Sequence, residues 1–204
     1  MKYIIMCGGP RSDSPLREMF GETLVERSIR LLKENGIEDI AISSNDGRYK
    51  KFGYPVLEHD NPLTWENFCW LKCYYPTDEP VCYIYGDVFF SPYAIEVIVR
   101  TETEDIEFFA SAPPFNWQYT KHWAEPFAYK VQNTERFFEC VEKAKELGRQ
   151  GKFKRGPISW ELWQIIKGTP LNRIDYRNYT AINDYTVDVD TDEQAAIIEA
   201  RGIC

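Results

Sequence analysis

Gly86-Asp87 places a carboxylate where it can hold a metal ion. The pair closes the apolar run Val81-Cys82-Tyr83-Ile84-Tyr85, and Ser91-Pro92 follow as a helix cap and first-turn proline. A buried strand that brings one carboxylate to its carboxyl end, just ahead of a helix, is what an open α/β sheet presents at its ligand crevice. Hard divalent cations prefer such oxygens and bridge from them to substrate phosphates. The same dipeptide also reads as a plain turn.

A second chemical candidate lies near the start. The strand-like Tyr3–Met6 runs into Gly8-Gly9, then a polar loop carrying Arg11 and Arg17, then a helix. Flexible backbone amides and a positive helix end suit a phosphate. No Gly-Lys-Ser/Thr follows, so this is not a P-loop. After Gly9 the next glycine is Gly21, which excludes the dinucleotide fingerprint. A tight turn without ligand fits Gly8-Gly9 equally well.

The elements that must position these groups alternate along the first half. Strands are expected at Tyr3–Met6, Asp39–Ser43, Tyr54–Leu57, Val81–Tyr85 and Asp105–Ala110. Helices are expected from the capping box Thr23-Leu-Val-Glu26 to Asn35-Gly36, over Thr64–Tyr74 and over Pro92–Arg100. Such alternation predicts a parallel sheet with right-handed helical crossovers. The second half reads as a strand at Ala124–Val131, a charged helix over Thr134–Arg149, and a Trp-rich helix over Ile158–Lys167. A last strand, Tyr185–Val189, and a helix opened by the capping box Thr191-Asp-Glu-Gln194 complete it. If Tyr185–Val189 is regular, Asp188 and Asp190 share one side, with Asp190 nearer the strand end.

At 204 residues the chain has length for one large core. Its 44% hydrophobic and 27% charged content is that of a soluble domain. The net charge of −8 supplies no basic stripe, which argues against a nucleic-acid partner. No apolar stretch approaches 18 residues, so no membrane span is expected. The N-terminus lacks the features of a signal peptide, and a cytoplasmic location is expected. Six cysteines are scattered without a CxxC motif, and only His59 and His122 are at hand for zinc. Buried free thiols in a reducing compartment are expected instead.

Taken together, several segments resemble the sugar nucleotidyltransferase (nucleotide-diphospho-sugar pyrophosphorylase) superfamily across nearly the whole chain. They are the Gly8-Gly9 loop, Gly21-Glu-Thr-Leu-Val-Glu-Arg27, Asp39-Ile-Ala-Ile-Ser-Ser44, Tyr85-Gly-Asp-Val88 and Asp188-Val-Asp-Thr-Asp-Glu193. The resemblance implies a single α/β domain, a three-layer sandwich with a mainly parallel sheet. Residues 1–110 would bind nucleotide and residues 111–204 the acceptor. It implies attack of an acceptor phosphate on the α-phosphorus of a nucleoside triphosphate, with release of pyrophosphate. By the same resemblance Asp87 and Asp190 are the Mg²⁺ ligands, and Gly8 and Gly9 meet the nucleotide through backbone. Arg11 holds the triphosphate, and Asn45 and Thr64 contact the base. The loop between Gly9 and Gly21 is shorter than in the family, and the usual Pro-Lys pair is replaced by Pro15-Leu16-Arg17, so Arg17 is expected to supply the missing charge. Leu63-Thr64 stands where Gly-Thr is usual.

Aromatics Phe115, Trp117, Tyr119, Trp123, Phe127, Tyr129, Trp160 and Trp163 fall in the half where the family binds its acceptor. They could stack on a sugar or enclose a quaternary ammonium, although Trp160 and Trp163, three apart on a helix, also read as core. Glu125 resembles an acceptor carboxylate and Lys130 a contact to the acceptor phosphate. The bland alternatives are a strand-edge charge and a surface lysine. A phosphorylated small molecule is the expected second substrate, the protein acting as monomer or homodimer. A non-catalytic module of this fold is the competing class. A related glycosyltransferase would carry Asp-x-Asp directly after the central strand, but here Asp-x-Asp occurs only near the end, in the overlapping Asp188-Val-Asp190 and Asp190-Thr-Asp192.

Overall fold

A computed structural model describes residues 1–8, 13–59, 69–111, 125–153 and 159–202. Its strands, in chain order, begin with β1 (Lys2–Met6), β2 (Glu18–Met19), β3 (Glu22–Thr23), β4 (Ile40–Ser43), β5 (Val56–Leu57) and β6 (Val81–Tyr85). They continue with β7 (Val88–Phe89), β8 (Ile106–Ser111), β9 (Glu125–Val131), β10 (Thr180–Ala181) and β11 (Val187–Asp188). The helices are α1 (Leu24–Glu34), α2 (Pro92–Arg100), α3 (Thr134–Arg149), α4 (Ser159–Lys167) and α5 (Asp192–Ala200).

Local signals set most of these boundaries. The side chains of Thr23 and Glu26 close a reciprocal cap on α1, as do those of Thr191 and Gln194 on α5. Ser91 accepts from Ala94 N–H at 2.8 Å, and Pro92 starts α2. Two expectations change. Cys69–Cys73, the described end of the expected Thr64–Tyr74 helix, is a 3₁₀ turn. The expected five-residue strand at Tyr185–Val189 shortens to Val187–Asp188.

Seven strands form the main sheet in the order β10-β8-β9-β6-β1-β4-β5. β1 lies parallel to both β4 and β6, as expected of Tyr3–Met6, Asp39–Ser43 and Val81–Tyr85. β9 is the exception, antiparallel to both β6 and β8. Pro126, which has no N–H to give a ladder, sits where the β8–β9 register shifts and beyond the paired part of β6. Outside this sheet, β2 pairs with β3 and β7 with β11, each antiparallel.

Alternation along β1 feeds two cores. Ile4 and Met6 join Phe137 and Val141 of α3 and Trp160 and Trp163 of α4 on one face. Tyr3 and Ile5 join Val25 and Leu32 of α1 and Ile95 and Ile98 of α2 on the other. The result is the three-layer α/β arrangement. A smaller third core gathers Met19, Leu24, Phe89, Val187, Val189, Ala195 and Ile198 under α5. Among the described residues no helix is long and apolar enough to cross a membrane, and Cys7, Cys73 and Cys82 are buried thiols outside any disulfide.

Candidate active site

Strand order locates the crevice. From β1 the chain steps to β4 and β5 on one side, then returns to lay β6 on the other side of β1. The reversal makes the carboxyl ends of β1 and β6 a topological switch point, the place where open α/β sheets bind ligands. Gly8 leaves β1 at this edge, Asn45 leaves β4, and Asp87 leaves β6. Neighbouring strand ends are tied together: Cys7 N–H donates to Ser43 O at 2.9 Å, and Ser44 Oγ to Cys7 O at 3.0 Å.

Both described glycines at this edge are crowded, Gly86 against backbone and Gly8 against side chains. A Cβ on Gly8 would lie 2.5 Å from His59 Nε2, and one on Gly86 would lie 2.6 Å from the Met6 carbonyl oxygen. His59 was not singled out from sequence as a site residue, yet it reaches this edge two positions beyond β5. Its place after a third parallel strand was the available signal.

The β7–β11 ribbon brings the second acidic segment to Asp87. Val88 pairs with Asp188, and one step further the Val189 N–H donates to the Asp87 carbonyl at 2.7 Å. Asp190 follows directly. Its N–H donates to Gln194 Oε1 at 2.6 Å, so the α5 cap also fixes this turn. Glu125, the first residue of β9 and fully buried, accepts from Asp188 N–H at 3.1 Å. Asp87 and Asp190 are half-buried. Burial pushes the Cys7 thiol and the Tyr85 phenol well up, and the Asp87 charge adds to the rise of both.

No protein-family model matches the chain, and no curated protein sequence does. Solved structures match nearly end to end. The 4-diphosphocytidyl-2C-methyl-D-erythritol synthase from Anaerococcus prevotii superposes with a TM-score of 0.61 at 12% identity, over 98% of this chain and 94% of that one. The inositol-1-phosphate CTP transferase from T. maritima gives 0.59 at 12% identity, over 97% and 94%. The CTP:phosphocholine cytidylyltransferase from Streptococcus pneumoniae gives 0.54 at 17% identity, over 98% of both chains. The fold is that of the sugar nucleotidyltransferases.

Against that fold, the expected contact of Lys130 needs correction, and Arg17 has partners that local sequence does not show. Lys130 is not at the carboxyl edge. Because β9 is antiparallel, Lys130 pairs with Cys82, five residues before Asp87, about 16 Å away at roughly 3.3 Å per residue. Its Nζ donates to the carbonyls of Ile98 (3.1 Å), Val99 (2.8 Å) and Thr101 (2.7 Å), which closes the carboxyl end of α2. Arg17 is also committed. Its guanidinium donates to Val189 O at 2.8 Å, Asp190 O at 3.4 Å and Asp192 Oδ1 at 2.9 Å.

Four of the aromatics named for the acceptor are core in this nucleotidyltransferase fold. Phe127, Tyr129, Trp160 and Trp163 are at most 1% exposed. Phe108 stacks on Tyr129 and takes Trp160 edge-on, with ring centroids 4.5 and 5.0 Å apart. Gly9, Arg11, Thr64, Phe115, Trp117, Tyr119 and Trp123 lie outside the described residues.

Among the described residues no three His, Cys, Asp or Glu side chains gather to hold a metal alone. Mg²⁺ does not ask for that. It takes one or two carboxylates and completes its shell with water and substrate phosphates. Two carboxylate residues at one hydrogen-bonded ribbon end fit that demand.

Proposed function

We propose that the chain is a Mg²⁺-dependent nucleotidyltransferase that joins the nucleoside monophosphate part of a triphosphate to a phosphorylated small molecule. The observation that carries this reading is the Val189 N–H to Asp87 carbonyl hydrogen bond of 2.7 Å, which sets Asp87 beside the segment bearing Asp190. It does so at the switch-point edge, where this fold class binds ligands. The nucleotidyltransferase likeness of the fold gives independent support.

In the reaction, an oxygen of the acceptor phosphate attacks the α-phosphorus. The bond from that phosphorus to the bridging oxygen breaks, and pyrophosphate leaves with the electron pair. Both reactants are anions already ionised at neutral pH, so the site must supply alignment and charge neutralisation more than a base. A bound Mg²⁺, held by Asp87 and Asp190, supplies that neutralisation. Gly8 keeps its strand end free of a side chain beside the phosphates, with Gly9 and Arg11 completing the triphosphate loop. Asn45 and Thr64 are assigned to the base. Residues 111–204 take the acceptor, an assignment that includes Glu125 and Trp123.

The test is a matrix of Mg²⁺, each nucleoside triphosphate, and a panel of sugar phosphates with phosphocholine, read as pyrophosphate. Asp87→Asn and Asp190→Asn should each remove most of the release while melting like the native protein. Full release by Asp190→Asn, or none from any native pairing, overturns the reading.

A further inference from the structure

We propose that Arg17 is a positioning residue for Asp190: it clamps the main chain on both sides of that carboxylate and thereby sets its metal affinity. This rests on the reading of Asp87 and Asp190 as metal ligands. It is a role in addition to the triphosphate contact expected of Arg17.

The clamp is built at both ends. At the base, a 3₁₀ turn over Ser14–Leu16 holds Arg17, whose N–H donates to Ser14 O at 3.0 Å and whose carbonyl accepts from Leu24 N–H at 3.1 Å. At the tip, the planar fork reaches the successive carbonyls of Val189 and Asp190, and Nε takes Asp192. Asp192 is 98% exposed, so that ion pair alone contributes little. The carbonyl contacts are what immobilise the turn. A lysine ammonium is a point charge on a flexible stem and does not reproduce a fork across two carbonyls.

The remaining backbone groups of the segment are fixed by other elements. Asp188 N–H goes to Glu125, Val189 N–H to Asp87 O, and the N–H groups of Asp190 and Thr191 both to Gln194. Arg17 adds the two carbonyls, so each peptide flanking Asp190 is held at donor and acceptor. Side chains that orient metal ligands typically change metal affinity by about 10–100-fold when removed.

Electrostatics and positioning predict opposite signs. Removing a cation near two carboxylates strengthens Mn²⁺ binding by charge alone, whereas loosening the Asp190 turn weakens it. The experiment titrates Mn²⁺ into native protein, Arg17→Ala, Arg17→Lys and Asp192→Asn without nucleotide, and follows amide exchange over residues 187–194. Arg17→Ala should bind Mn²⁺ about 10–100-fold more weakly and exchange faster over that segment. Arg17→Lys should recover little of either. Asp192→Asn, which keeps both carbonyl contacts, should stay near native. Unchanged or tighter Mn²⁺ binding by Arg17→Ala overturns the positioning role. Native protein that binds no Mn²⁺, while Arg17→Ala still exchanges faster, instead overturns the metal reading of Asp87 and Asp190 and leaves only the clamp.

Discussion

Gly86 donates its N–H to the Met6 carbonyl at 3.0 Å, and the Cβ it lacks would stand 2.6 Å from that same oxygen. The missing methyl would also meet Cys7 Sγ at 2.6 Å and Pro15 Cγ at 3.2 Å. Two of these three contacts are with β1 or the residue that ends it, and a carbonyl cannot rotate away as a side chain does. Gly86→Ala should therefore cost about 1–3 kcal/mol, the usual penalty for overpacking. Denaturant unfolding measures it, and native stability would show that the β1–β6 edge yields.

Lys130→Met should cost stability without touching the site. The substitution keeps an apolar stem but leaves the carbonyls of Ile98, Val99 and Thr101 without their common donor. A buried group stripped of its partner costs about 1–3 kcal/mol. Unfolding should show that loss, while the acceptor KM in the pyrophosphate assay stays native. A raised KM would return Lys130 to the acceptor site.

Glu22 should shape the acid limb of stability. Arg30 donates to it at 2.6 and 3.0 Å and Arg27 at 3.1 Å, and these guanidinium contacts, Arg30 foremost, hold its carboxyl below the ordinary value of 4.5. The unfolded chain thus takes up this proton first as pH falls. The contribution is complete above pH 4.5 and is lost as pH drops through the lower folded value. Glu22→Gln should lose about 1 kcal/mol at neutral pH, reduced by the solvent exposure of Arg30. It should also decline less steeply than native protein below pH 4.5. Parallel acid curves for the two proteins would rule the contribution out.

Local chemistry made much of the fold legible. The cap at Thr23, the Ser91-Pro92 start and the box at Thr191 act within one helical turn, so α1, α2 and α5 begin where sequence places them. Asp87 and Gly8 were readable because each terminates an apolar run at a glycine. Strand direction was not. Nothing within Glu125–Val131 states that it runs against β6, yet that direction alone carries Glu125 to the crevice edge and Lys130 away from it. The two-residue pairings of β7 and β11 are too short for a period-two pattern to register. The commitment of Arg17 depends on a contact across 175 positions, beyond any local rule.

The third core has a consequence in time. Met19, Leu24 and Phe89 are covered by Val187, Val189, Ala195 and Ile198. During synthesis from the N-terminus, β1, β4 and β6 can pair long before those covering residues exist. These three strands, with Asp87 just past the end of one, can therefore be in place while Asp190 is still unmade. Arrival of the last strand and α5 closes the apolar surface and brings Asp190 to Asp87 in the same event, so the proposed site is complete only when the fold is.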